Sequence, residues 1–249
     1  MALQRIDKLL TSMGLCSRRE AAAAARGGAV SVDGEICRDA SRKVDPQHSC
    51  VTFRGKPVGY TEHVYLMMHK PTGVLCATKD REQKTVLDLL PAQYRSRGVF
   101  PVGRLDKDTS GLLLLTDDGA LGHALTSPRR HVPKVYRALA DGVLGAADAA
   151  AFADGLVLGD GTVCRPAELQ IDDVSGAQSR VTVTVHEGMY HQVRRMLAAR
   201  GAPVRTLMRV SEGPLALDPQ LAPGSWRALE QGEVDILRAC CGQNTENSP

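Results

Sequence analysis

The chain has 249 residues, 43% of them hydrophobic and 24% charged, with a net charge of +3. That suits a soluble globular protein of one large domain, or a small domain beside a medium one. No apolar run approaches the ~20 residues of a bilayer span, and the start Met1-Ala2-Leu3-Gln4-Arg5-Ile6-Asp7-Lys8 puts charges where a secretion signal needs apolar residues, so a cytoplasmic protein with no membrane role is expected.

Seven cysteines, an odd number without a C-x-x-C pair, fit small buried thiols in a reducing compartment better than a disulfide framework or a zinc site. The histidines are equally dispersed, and no metal is expected. Residues 1–59 hold ten Lys/Arg against six Asp/Glu, a surplus of four, while residues 60–249 hold 21 against 22. The excess positive charge therefore sits in the first quarter of the chain, where a phosphate-binding face would put it.

In chain order, Ile6, Leu9, Leu10 and Met13 recur at helical spacing and Gly14 supplies a stop. Ser17-Arg18-Arg19-Glu20 matches a capping box opening a second helix through Ala21–Ala25. Val30 and Val32 alternate before the hairpin turn Asp33-Gly34. Two helices and a hairpin with these residues resemble an S4-type RNA-binding domain. The resemblance implies that Arg5, Lys8, Arg18, Arg19 and Lys43 face RNA. Residues 54–63 suit a linker, which sets the domain at 1–59 and the junction at 60–63.

Beyond it Val64–Met68 reads as a strand ending at His69-Lys70-Pro71-Thr72-Gly73, where Lys70 is a candidate substrate contact. Gly103-Arg-Leu-Asp-Lys-Asp-Thr-Ser-Gly then runs into Leu112–Leu115, a charged loop on a strand buried on both faces, with Thr109–Gly111 shaping the turn. Ala120–Thr126 reads as a helix, Ser127–His131 as a basic loop and Lys134–Leu139 as a strand. Ala146–Ala153 favours a helix, and Val181–Val185 alternates as a half-buried strand. In the segment that follows, Tyr190, Val193, Met196 and Leu197 fall on one helical arc, with Arg194 at its margin and Arg195 pointing away. An arginine beside a buried face asks for an anion.

Gly103-Arg-Leu-Asp-x-Asp-Thr-Ser-Gly-Leu, Lys134-x-Tyr136 and Glu187-Gly-x-Tyr-His-Gln-Val-Arg-Arg-Met together resemble the RsuA-type rRNA pseudouridine synthases. The resemblance implies an α+β protein: the S4-type domain, then a catalytic domain over 64–240 on a mainly antiparallel sheet; the polar, apolar-poor residues 241–249 are expected to form a disordered tail. It implies no cofactor. It makes Asp106 the nucleophile, Arg194 its ion-pair partner, and Tyr136 the ring that stacks on the base. Arg104, His191, Gln192 and the Ser127–His131 loop, with Arg129 and Arg130, are candidate RNA contacts. The expected partner is ribosomal RNA, with the protein a monomer. The Ser127–Tyr136 and Leu221–Trp226 segments look closest to the small-subunit (16S) enzymes. A large-subunit (23S) enzyme, a non-catalytic rRNA-binding assembly factor and a glycosidase using Asp106 and Asp108 are the alternatives. The chain departs from the family at Glu212, where relatives place an apolar residue before the glycine; Leu215 is the expected apolar wall of the pocket.

Overall fold

The computed structural model describes residues 3–242. They divide into two compact units: the chain up to Val64 together with Leu90–Val99, and Tyr65–Leu89 together with the chain from Phe100 onward. The first unit runs β1 (Gln4–Arg5), α1 (Ile6–Ser12), α2 (Arg18–Arg26), β2 (Val30–Val32), β3 (Glu35–Ile36), β4 (Lys43–Val44), β5 (Val51–Phe53) and β6 (Lys56–Pro57), joined by α3 (Ala92–Ser96). The capping box forms as its residues require: the Ser17 hydroxyl accepts from the Glu20 amide, and the Glu20 carboxylate accepts from the Ser17 amide. Asp33 and Gly34 both take positive φ, the geometry of a tight hairpin turn between β2 and β3. Ile6, Leu9 and Leu10 from α1 and Ala21 and Ala25 from α2 bury against Val30, Val32, Val51 and Phe53. Part of the expected linker is structured instead, because β6 pairs with β5 and Val58 and Tyr60 pack against this core.

The second unit carries β7 (Tyr65–Lys70), β8 (Phe100–Pro101), β9 (Thr109–Thr116), α4 (Gly119–Thr126), β10 (Lys134–Asp141), α5 (Ala146–Asp154), β11 (Glu168–Ser175), β12 (Gln178–Val185), α6 (Gln192–Ala199), β13 (Val204–Glu212), β14 (Leu215–Ala216), β15 (Trp226–Ala228) and α7 (Gln231–Cys240). Among the described residues its sheet has nine strands, with the path β11-β12-β10-β13-β9-β7-β15 and β14 and β8 at the side. Every pairing is antiparallel except β9 with β13. The four leucines of β9 are buried: Leu112 and Leu114 pack with Leu121 and Leu125 of α4 and Leu237 of α7. Phe152 of α5 and Val193, Met196 and Leu197 of α6 close a second cluster over β10 and β12. Cys241, assigned to the tail by the sequence, is buried with Leu237, and the rest of that tail from 243 lies outside the described residues.

Thr109, Ser110 and Gly111 start β9 rather than shaping a turn before it. Gly111 sits at φ +112 directly across from Arg209, where an added Cβ would collide with the Arg209 carbonyl and amide. Only a residue without a side chain lets β9 approach β13 this closely. Gly111→Ala is therefore expected to cost ~3 kcal/mol or more, seen as a large drop in the denaturation midpoint of this unit.

Candidate active site

The loop between β8 and β9 places Asp106 at the wall of a pocket of about 350 Å³, at the lower end of the ~300–1,000 Å³ range of small-ligand sites. Arg104, Leu105, Lys134, Tyr136, Val185, Met189, His191, Val193, Leu207 and Arg209 are among its lining. The loop is held by its own backbone. Lys70, expected to meet substrate, is instead completely buried, and its Nζ donates to the carbonyls of Pro71, Asp106, Lys107 and Thr109 at 2.9–3.3 Å. Its position explains this: at the end of β7 it lies opposite Gly111, so its side chain runs under the turn. Burial pulls the Lys70 ammonium below its usual value, and the acceptors around it compensate. The Leu105 amide donates to Cys76 Sγ at 3.3 Å and the Gly73 amide to the Lys107 carbonyl at 2.7 Å, which tie the loop from its other side.

Asp106 is partly exposed, and its Oδ1 lies 3.5 Å from Nε2 of His191. The expected Asp106–Arg194 ion pair is not formed. Arg194 pairs with the Asp108 carboxylate at 3.2 Å and donates to the Asp108 carbonyl at 3.1 Å and the Thr109 hydroxyl at 3.5 Å. The anion required by its half-buried position on α6 exists, two residues further along the same loop. Arg194 Nε is buried with no hydrogen-bond partner among the described residues.

Tyr190 does not belong to the buried arc. The backbone turns at His191 (φ 50) and α6 begins only at Gln192, so Tyr190 precedes the helix and is 69% exposed. Gln192 is buried and works inward: its Nε2 donates to Glu187 at 2.7 Å, and its Oε1 accepts from the Met189 amide at 3.2 Å. Arg104 is exposed at the pocket. Arg129 and Arg130 are exposed, and Arg130 donates to the Cys241 carbonyl. Leu215 is no pocket wall; it is buried in the cluster with Leu112, Leu121 and Val132. Leu207 and Val193 supply apolar lining instead.

Beneath the pocket Tyr136 belongs to a charged group whose assembly no local sequence pattern encodes. Lys134 and Tyr136, two apart on β10, share a face. Opposite them stand Glu212 and Arg209, three apart on β13, which regular alternation would send to opposite faces. A β-bulge between the two pairs absorbs the extra residue and brings all four together. Arg209 is 1% and Glu212 0% exposed, with Nη2 and Oε2 3.0 Å apart. That contact is one of charge alone, because both Glu212 oxygens lack a hydrogen-bond partner among the described residues. Arg209 Nε donates to the Leu112 carbonyl at 2.9 Å. Burial opposes the Arg209 charge, but Glu212 and Tyr136 beside it hold the guanidinium above its ordinary value. Burial also pushes the Tyr136 phenol up, so its hydroxyl is protonated at neutral pH, and burial draws Lys134 down against the pull of Glu212.

Asp106, partly exposed on a backbone-clamped loop, and the buried Tyr136 thus line one pocket. Residues 64–199 match the RNA pseudouridylate synthase family model and residues 4–49 the S4 domain model. The chain belongs to the RNA pseudouridylate synthase family and carries an S4 domain ahead of the catalytic unit. It is 44% identical to the uncharacterized RNA pseudouridine synthase YtzG of Bacillus subtilis, covering 94% of this chain and 98% of that one. It is 39% identical to ribosomal small subunit pseudouridine synthase A of Escherichia coli, covering 92% and 98%. A crystal structure of a pseudouridylate synthase superposes with a TM-score of 0.65 at 35% identity, covering 94% of this chain and 99% of the other.

Proposed function

We propose that the protein isomerises one uridine of small-subunit (16S) ribosomal RNA to pseudouridine, acting as a monomer in the cytoplasm. The observation that carries this reading is Asp106 itself, half-open at the pocket wall while Lys70 fixes the Asp106 carbonyl and that of Lys107. The reaction breaks the C1′–N1 bond of a uridine, turns the uracil, and joins C1′ to C5; the C5 proton leaves to solvent and N1 takes one up. An ionised Asp106 that bonds transiently to the nucleoside divides this into two easier steps. The target must first leave its stack, at a cost of a few kcal/mol. The Tyr136 ring then packs against the extruded base, and its protonated hydroxyl serves as a donor. Arg194 holds the loop through Asp108 and Thr109, so its role is to position Asp106 rather than to pair with it. Arg104 and His191 at the pocket edge are suited to the phosphate and base edges of the substrate.

The small-subunit target is supported by the relatives that carry that name. Incubating the protein with small-subunit rRNA transcribed with 5-tritiated uridine tests the reading directly. Tritium release is expected, and none from a large-subunit transcript.

The S4 unit supplies affinity. Lys8, Arg18, Arg19 and Lys43 are exposed, while Arg5 is engaged with Asp7 at 2.7 Å. Replacing Arg18, Arg19 and Lys43 together by alanine is expected to weaken rRNA binding and flatten the log–log salt dependence by about two to three. The fold should be retained, as filter binding and circular dichroism would report.

A further inference from the structure

Aromatic residues are scarce in this chain, at 4%, yet Tyr190 holds its ring out in solvent. The ring is not loose. It stacks on the His191 imidazole with centroids 3.9 Å apart and planes 15° from parallel. The segment beneath is clamped by Gln192 on Glu187 and on the Met189 amide, and Arg195, itself paired with Asp160 at 2.5 Å, donates to the Tyr190 carbonyl at 3.5 Å. The inner ring, His191, stands 3.5 Å from Asp106, so the stack rises from the reacting carboxylate to the rim of the pocket. One face of Tyr190 is used by His191; the other is open. Displaying a large apolar ring this way forfeits the stabilisation its burial would bring, and a pre-ordered, open aromatic face matches the π-face of a nucleobase.

We propose that Tyr190 is a stacking platform for an unpaired nucleobase adjacent to the target uridine in the RNA. It follows that the protein requires its target in a loop or opened helix, where a neighbour is also free to leave its stack. This rests on the pseudouridine synthase reading above and adds the state of the flanking nucleotide.

The test compares Tyr190→Ala, Tyr190→Leu and Tyr190→Phe as full-length proteins by tritium release from 5-tritiated small-subunit rRNA. Stacking predicts that Ala and Leu both raise KM by about five-fold or more, that Phe stays within two-fold of wild type, and that thermal midpoints are unchanged. Leucine retaining wild-type KM would mean that the ring merely covers His191, and the proposal would fall; so would an unchanged KM in Tyr190→Ala. With a fragment carrying the mapped uridine, replacing each flanking nucleotide in turn by an abasic one should cancel the Tyr190→Ala penalty at one position, and no cancellation at any position overturns the assignment. Absence of turnover by the wild-type protein would instead refute the function on which this rests.

Discussion

Asp106→Asn is expected to abolish tritium release from 5-tritiated rRNA, by about 10⁴-fold or more, while leaving RNA affinity close to wild type. The amide is nearly isosteric, and the loop does not depend on the carboxylate for its shape. Lys70 binds the Asp106 and Thr109 carbonyls and the Thr109 amide donates to the Asp106 carbonyl, all main-chain contacts that asparagine keeps. What is lost is an ionised oxygen able to bond the sugar. Turnover in this variant would show that another group attacks, and Asp108, held by Arg194 at 3.2 Å, would be the next to examine.

The second large effect concerns stability. Arg209→Met takes from the wholly buried Glu212 the guanidinium 3.0 Å away and from the Leu112 carbonyl the Arg209 Nε donor. Removing one member of a buried pair costs about 3–5 kcal/mol, which for a unit of this size lowers the thermal midpoint by roughly 10 °C. Glu212→Leu added to Arg209→Met removes the stranded charge and should restore most of the loss, since an apolar replacement of both partners is often neutral. A double-mutant cycle by thermal denaturation measures this, and simple additivity of the two substitutions would contradict a coupled pair. Activity in the double variant should remain low, because Arg209 lies beside Tyr136 at the pocket floor.

These two sites were unequally visible in the sequence. Asp106 stands in a long contiguous motif, and the apolar run after it fixes β9, the strand that follows its loop, so the placing of that loop is legible locally. The same holds for the capping box at Ser17 and the hairpin at Asp33-Gly34, where a few neighbouring residues determine the geometry. Arg209 and Glu212 were hidden because a period of two assigns them to opposite faces, and only a bulge set by pairing with β10 reverses this. Glu212 did leave one trace, as a carboxylate where an apolar residue is usual. Lys70 reads as a candidate substrate contact because nothing local reveals that the β8–β9 loop closes over it. Tyr190 was misplaced by extending the helical period two residues too far, past a backbone turn at His191 that helix periodicity does not encode. Arg194 meets Asp108 rather than the expected Asp106 on the β8–β9 loop, a distinction that depends on side-chain direction and that spacing does not encode.

The proposed reaction converts a single uridine of small-subunit rRNA to pseudouridine by way of Asp106. Carbodiimide treatment and reverse transcription of rRNA from a strain lacking the gene, complemented with wild type or with Asp106→Asn, tests it most directly. One small-subunit stop is expected to be absent in the deletion, restored by wild type and not by Asp106→Asn. An unchanged set of stops in the small subunit, or restoration by the Asp106→Asn protein, would contradict it.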